Sequence, residues 1–320
     1  MSESESTTIL VDSLSLSDIA SDAVASQAIE IAQRAGLTNE AAVADDESLD
    51  LQLLEETGEI TGSNGVPAAQ DTTLLRISDK IYQLSLRAGG HASFSYLGKC
   101  VSASVIATVD RNSFLVWVLH VPALNAVVIA FRGTNNKANV KSDLDFKKDS
   151  CQLGSLSCGK VHGGFLKLWT DIRSSVITTV NSFIAKHPSV TTVYQTGHSL
   201  GAAVAIIAGL DFGNVFSARS SIKVRVIGFG VPRVGDGTFA SKFHSFPSLS
   251  VLRYRHWRKF LLLKWWDPVS IIPPAGWGFS HVGAEFQMKC ESCKSPIDLH
   301  RIGEYEKTFV RLQGRGVANC

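Results

Sequence analysis

The stretch VTTVYQTGHSLGAAVAIIAGL, running from Val190 to Leu210, decides how the rest of the chain is read. Its first half is β-branched and aromatic, so Ser189–Thr196 reads as a strand. Its second half, Leu200–Leu210, is an alanine-rich helix. Gly197, His198, Ser199, Leu200 and Gly201 fill the junction as a G-x-S-x-G. The bare pattern is common; its setting between a strand and a helix is not. Such a strand–turn–helix lifts a serine hydroxyl above a sheet on a strained backbone. Gly197 and Gly201 are small because the strand and the helix approach closely there. The helix N-terminus places partial positive charge near a developing oxyanion, and the Leu200 N–H can donate to it. The plainer alternative is a serine that only caps a helix.

Outward from this point the pattern alternates. Thr73–Ala88 carries Leu74, Ile77, Ile81 and Leu84 at helical spacing. Phe114–Val121 and Asn125–Phe131 are apolar enough for buried strands. Phe165, Trp169, Ile172, Val176 and Val180 mark a long amphipathic helix, and Ile222–Phe229 reads as a further strand. Strands alternating with helices predict an α/β domain, with a mostly parallel central sheet covered by helices on both faces.

Composition separates a tail from a body. The chain has 320 residues and a formal net charge of +2. Residues 1–72 hold 15 acidic side chains against Arg34 alone, a balance of −14, and contain no Phe, Trp, Tyr or Cys. Residues 73–320 hold 30 basic against 14 acidic side chains, a balance of +16. A segment so poor in apolar surface does not offset its ordering entropy, so 1–72 is expected to be a largely disordered acidic tail. Weak helical patches fall at Ile19–Ala35 and Ser48–Glu56. The sharper reading of the tail is an acidic pro-segment lying against the basic body. The body, 73–320, is expected to be one catalytic domain. No apolar run reaches the 18 residues of a spanning helix. The first residues show no basic region followed by an apolar stretch, so no secretory signal is visible in this sequence.

A serine hydroxyl needs a base, and the base needs an orienting acid. With an elbow serine the chain order is serine, acid, histidine. His244, His256, His281 and His300 follow Ser199, as do Asp211, Asp236, Asp267, Glu285 and Asp298. Asp267 enters a proline-rich segment after an apolar stretch, the end of a strand, where acids of open α/β sheets belong. Asp211, in the helix after the elbow, and Asp236, in a glycine-rich loop, read as structural. His281, between Trp277 and Phe286, reads as packed. His300, in a polar stretch expected to be exposed, is easier to reach and to titrate. The residues themselves leave both histidines open.

The motifs AFRGT (130–134), VHGGF (161–165), TGHSLG (196–201), GVPRVG (230–235) and DPVSIIPP (267–274) occur in this order. Together they resemble the fungal class 3 lipases, a family that also contains type A feruloyl esterases, from about Thr73 to Cys320. The resemblance implies an α/β-hydrolase fold, with Ser199 as nucleophile, Asp267 as acid and His300 as base. It implies an oxyanion hole from Thr134 and Leu200. It makes the segment after Thr134, with Asn135, Val140, Leu144 and Phe146, a short lid helix of weak amphipathicity. It suggests disulfides Cys100–Cys320, Cys151–Cys158 and Cys290–Cys293. An even cysteine count in such places argues for an oxidising, extracellular setting. A zinc reading of Cys290-x-x-Cys293 lacks a second ligand pair at suitable spacing.

Two departures from the family stand out, the secretory signal not visible in this sequence and an insert. Between Arg255 and Asp267 the chain reads HWRKFLLLKWW, a lengthened strand edge, a basic, apolar patch for membrane contact, or a gene-model error such as a retained intron. The expected activity is carboxylic-ester hydrolysis without metal or cofactor, with acylglycerols as first choice of substrate. A soluble feruloyl-type ester is the runner-up, and an inactive hydrolase scaffold used for binding is the remote alternative. The expected partner is an ester or lipid substrate, met at a lipid–water interface. No nucleic-acid module is visible, and a monomer is expected.

Overall fold

In the computed structural model, residues 16–34, 67–96, 99–133, 146–260 and 263–314 are described. The chain runs α1 (Leu16–Arg34), α2 (Ala69–Lys80), β1 (His91–Tyr96), β2 (Lys99–Arg111), β3 (Phe114–Val121) and β4 (Ala126–Phe131). A hairpin of β5 (Lys148–Leu153) and β6 (Leu156–His162) leads into α3 (Gly163–Lys186). Then come β7 (Thr192–His198), α4 (Leu200–Val215), β8 (Lys223–Phe229), α5 (Gly237–Lys242), β9 (Leu249–Phe260), β10 (Leu263–Trp266), β11 (Ala284–Lys289) and α6 (Ile302–Gln313).

The main sheet is ordered β1-β2-β3-β4-β7-β8-β9-β10, with β11 alongside β9. The run β4-β7-β8-β9 is parallel and β11 is parallel to β9, while β1 to β4 join as antiparallel neighbours. Parallel strands need crossovers, and α3 and α4 supply two of them. Alternate residues of β3 serve opposite faces. Val116 and Val118 pack with α3 and α4, while Leu115, Trp117 and Leu119 pack with α2 and α6. α3 buries Phe165, Trp169, Ile172, Val176, Val180 and Ile184, the stripe its spacing predicts. α4 is buried from Leu200 to Gly213 because it lies between the sheet and α3.

Two sequence expectations change. Part of the tail is folded: α1 buries Val24, Ala25, Ala28 and Ala32. Small side chains one turn apart let this helix lie close to Trp266, Val269, Ile271 and Ile272, with Phe146 beside them. Asp22 clamps Arg301 through two bonds of 2.7 Å. Leu16–Arg34 is thus an acidic helix held on the basic body. The body also begins before Thr73, since α2 starts at Ala69 and both Asp71 and Thr72 are buried. The second helical patch, Ser48–Glu56, lies outside the described residues. Among the described residues, no helix is long and apolar enough to cross a membrane.

Candidate active site

The elbow forms where β7 meets α4. Ser199 has φ +59° and ψ −127°, a left-handed φ that costs a serine energy and is held by what surrounds it. Its N–H donates to Phe229 O on β8 at 3.0 Å. A Cβ on Gly197 would stand 2.6 Å from the Gly201 carbonyl carbon, and a Cβ on Gly201 would overlap the Phe131 carbonyl on β4. Both glycines are therefore set by close approach, as the sequence predicts.

His300 and Asp267 converge on this serine from separate segments. Ser199 Oγ lies 2.9 Å from His300 Nε2, and His300 Nδ1 lies 2.9 Å from both carboxylate oxygens of Asp267. With Nδ1–H donating to Asp267, Nε2 presents its lone pair to the serine hydroxyl. Asp267 stands between β10 and a 3₁₀ turn at Pro268–Ile271, and its Oδ1 accepts the Val269 N–H at 2.9 Å. Its own N–H donates to His256 O at 2.9 Å. Burial raises the Asp267 carboxyl, yet the charge and hydrogen bond of His300 and the Tyr305 phenol hold it below its usual range.

His300 is not on an exposed loop. It lies on a buried 3₁₀ turn, Asp298–His300, because its ring packs 4.5 Å from that of His198, centroid to centroid. Ser199 is 3% exposed. His281 is buried as the sequence suggests, and its Nε2–H donates to Ser270 O at 2.8 Å. Asp211 is structural: Trp169 Nε1 and Arg173 on α3 donate to it. Asp236 caps α5 by accepting the Phe239 N–H at 2.8 Å.

The sequence reading missed the layer behind the triad. Tyr305 on α6 donates to Asp267 Oδ2 at 2.8 Å and accepts the His256 N–H at 3.2 Å. His256 stacks on the Tyr305 ring at 3.8 Å and donates Nδ1–H to Leu299 O at 3.1 Å. His198 donates Nε2–H to His300 O at 2.7 Å. Burial pushes His198 down to about 3 and His256 down to about 4, so both rings stay neutral beside the triad. A signal for Tyr305 existed: Ile302, Tyr305 and Phe309 form the buried stripe of the helix that follows His300.

Leu200 is the first residue of α4, where a backbone N–H has no intrahelical acceptor. Thr134, Asn135, Val140 and Leu144 lie outside the described residues. Phe146 is described, and it packs edge-on to His162 with ring centroids 5.9 Å apart. Disulfides join Cys151 to Cys158 across the β5–β6 hairpin and Cys290 to Cys293 ahead of His300. Cys100 is disulfide-bonded, while Cys320, its expected partner, lies outside the described residues. One nitrogen of His256 and the sulfurs of Cys290 and Cys293 lie within 4.8 Å of one another. The two sulfurs are bonded to each other and so offer no thiolate to a metal.

Residues 128–261 match the family model described as lipase (class 3). A lipase of Rhizomucor miehei is 32% identical over 190 residues, which is 56% of this chain and 49% of that protein. The "secreted mono- and diacylglycerol lipase 1" of Fusarium solani is 28% identical over 186 residues, 58% of this chain and 50% of its own. The solved triacylglyceride lipase of Rhizomucor miehei superposes with a TM-score of 0.50 at 28% identity, over 58% of this chain and 66% of that one. The chain thus spans about half the length of the curated relatives it matches. The ordered motifs, the elbow and the parallel sheet beneath it agree with these matches: the chain is similar to the class 3 lipases over residues 128–261 and has the α/β-hydrolase fold.

Proposed function

We propose that the protein hydrolyses carboxylic esters, acylglycerols foremost, through an acyl-enzyme on Ser199. The observation that carries this is the unbroken run of hydrogen bonds from Ser199 Oγ through His300 to Asp267. His300 Nε2 takes the hydroxyl proton as Oγ attacks the ester carbonyl, whose π electrons move onto its oxygen. The Leu200 N–H and Thr134, the latter assigned from the family pattern, hold that oxyanion. The C–O bond to the alcohol then breaks, and His300 protonates the departing oxygen. Water repeats the sequence on the acyl-enzyme, releasing the acid and restoring Ser199. Asp267 keeps the imidazole in the tautomer that leaves Nε2 free, and it stabilises the imidazolium.

The acylglycerol reading draws on the relatives named for such substrates. An extracellular setting is supported by the two disulfides and by the relative named as secreted. The test is a rate panel of emulsified long-chain acylglycerol, short soluble esters and methyl ferulate, with phosphonate labelling in parallel. Labelling abolished in Ser199→Ala and a rate jump on the emulsion are expected. Equal or better rates on soluble esters, with no jump at the interface, would overturn the acylglycerol assignment.

A further inference from the structure

β9 runs on after its sheet partner ends. Its last residue paired with β8 is Tyr254, opposite Phe229, yet β9 continues to Phe260. Six more residues at ~3.3 Å each carry it about 20 Å further. β11 accompanies it as far as Trp257, and from there β10 folds back on it. The result is a two-stranded arm, Trp257–Phe260 against Leu263–Trp266, beyond the carboxyl end of the parallel strands. That is the end of the sheet that holds Ser199. The Asp267 N–H bonds His256 O, so the acid stands at the root of the arm. The outer rung lies four residues past His256, about 13 Å.

The side chains are layered along this arm. The outer rung pairs Phe260 with Leu263, and Leu263 is 49% exposed. One rung in, Lys259 stands directly opposite Lys264. Behind them come Arg258 opposite Trp265 and Trp257 opposite Trp266. The Lys264 ammonium lies 3.9 Å from the Trp266 ring centroid and 4.7 Å from that of Trp257. From Arg253 to Trp266 there is no acidic residue. In water this design is unfavourable, with like charges facing each other across a two-stranded ribbon and a leucine at its end. Against an anionic bilayer the outer layers find a match: the apolar end meets acyl chains and the lysines meet phosphates, while Trp266 stays buried at the root of the arm.

We propose that the β9–β10 arm docks the protein on anionic lipid surfaces, with Leu263 inserted and Lys259 and Lys264 at the phosphates, turning the Ser199 end of the sheet toward lipid. The proposal rests on the acylglycerol reading for its purpose but is tested apart from it. Full-length protein carrying Ser199→Ala, which leaves lipid unconsumed, is sedimented with phosphatidylcholine vesicles with or without phosphatidylglycerol. The comparison proteins add Lys259→Glu with Lys264→Glu, or Leu263→Ser. Binding at least tenfold tighter to the phosphatidylglycerol vesicles is expected, lost tenfold or more in the double variant and weakened in Leu263→Ser. With Ser199 intact, both variants should hydrolyse a short soluble ester within about twofold of the parent, which shows that they fold.

Vesicle binding unchanged in the variants would overturn the proposal. So would preference for a single-stranded oligonucleotide with vesicles left unbound. Loss of vesicle binding in the variants supports the arm even if acylglycerol hydrolysis is absent, in which case the functional reading alone fails. Emulsion hydrolysis with variant-independent vesicle binding would remove the arm and leave that reading standing.

Discussion

The phenol of Tyr305 donates to Asp267 Oδ2 at 2.8 Å, and the same oxygen lies 2.9 Å from His300 Nδ1. The carboxylate is thus shared between the imidazole it orients and a tyrosine on the next helix. Tyr305→Phe keeps the stack on His256 and deletes two hydrogen bonds, the one from the His256 N–H and the one to the charged carboxylate, the latter worth roughly 1.5–3 kcal/mol. The expected result is a fall in kcat of about tenfold or more with KM little changed. A purely structural role would instead lower the melting temperature and leave kcat per folded molecule intact.

Asp267→Asn preserves shape and can still accept the Val269 N–H, but it no longer fixes the imidazole tautomer. Its kcat should drop on the order of 10⁴-fold, and Ser199→Ala or His300→Ala should fall at least as far. Steady-state rates on one soluble ester, with circular dichroism to verify folding, test all three. A loss under tenfold in Asp267→Asn would remove Asp267 from the mechanism.

Asp71 gives a pH prediction. Burial pushes its carboxyl up from 3.8 to about 7, against the Tyr254 hydroxyl 2.5 Å away and the charge of Arg225, which pull it down. The folded protein therefore holds a proton there that the unfolded chain has lost. The stability this gives is complete below about pH 4 and is lost as pH rises through about 7. Asp71→Asn does not titrate and can still accept from Tyr254. Its melting temperature relative to the parent should climb between pH 5 and pH 8, by differential scanning calorimetry. A pH-independent difference would place the ionised form of Asp71 in the folded state.

The α1 contact should be modest and salt-sensitive at Asp22 and larger as a whole. Arg301 and Asp22 are each about a quarter exposed, so Asp22→Ala should cost about 1 kcal/mol or less, shrinking in molar salt. Removal of residues 1–34 also uncovers Trp266, Val269, Ile271 and Ile272, next to Asp267. It should lower the melting temperature further than Asp22→Ala and raise the binding of a hydrophobic dye. Equal melting temperatures for the truncated and full chains would show that α1 contributes no stability.

The elbow was legible because three local constraints coincide there: a β-branched strand, two glycines forced by close approach, and an alanine-rich helix. β3 and β4 were equally legible, being buried on both faces and so apolar but for His120 in β3. The choice between His281 and His300 was not legible from periodicity. It depends on where two distant turns meet in space, and His300 reaches Asp267 while His281 is spent on Ser270 O. The layer of Tyr305, His256 and His198 escaped notice because each is a single residue on a different element, and only packing unites them. The helix of α1 falls where the sequence offered a patch, Ile19–Ala35, but composition alone undervalues the burial that this helix shares with the body.

The arm also limits how this protein can diversify. Asp267 follows β10 directly, and β10 is held in register with β9 rung by rung from Trp266 opposite Trp257 outward. Adding one residue to each strand of the arm lengthens it by a whole rung and leaves the root, with Asp267, in place. A single-residue insertion in one strand between that root and the turn has to be absorbed as a bulge, or else it slips the pairing and turns every following side chain to the opposite face. Length variants that keep the acid aimed at His300 should therefore differ by paired residues, a parity rule written into this segment by the sheet and not by the chemistry it serves.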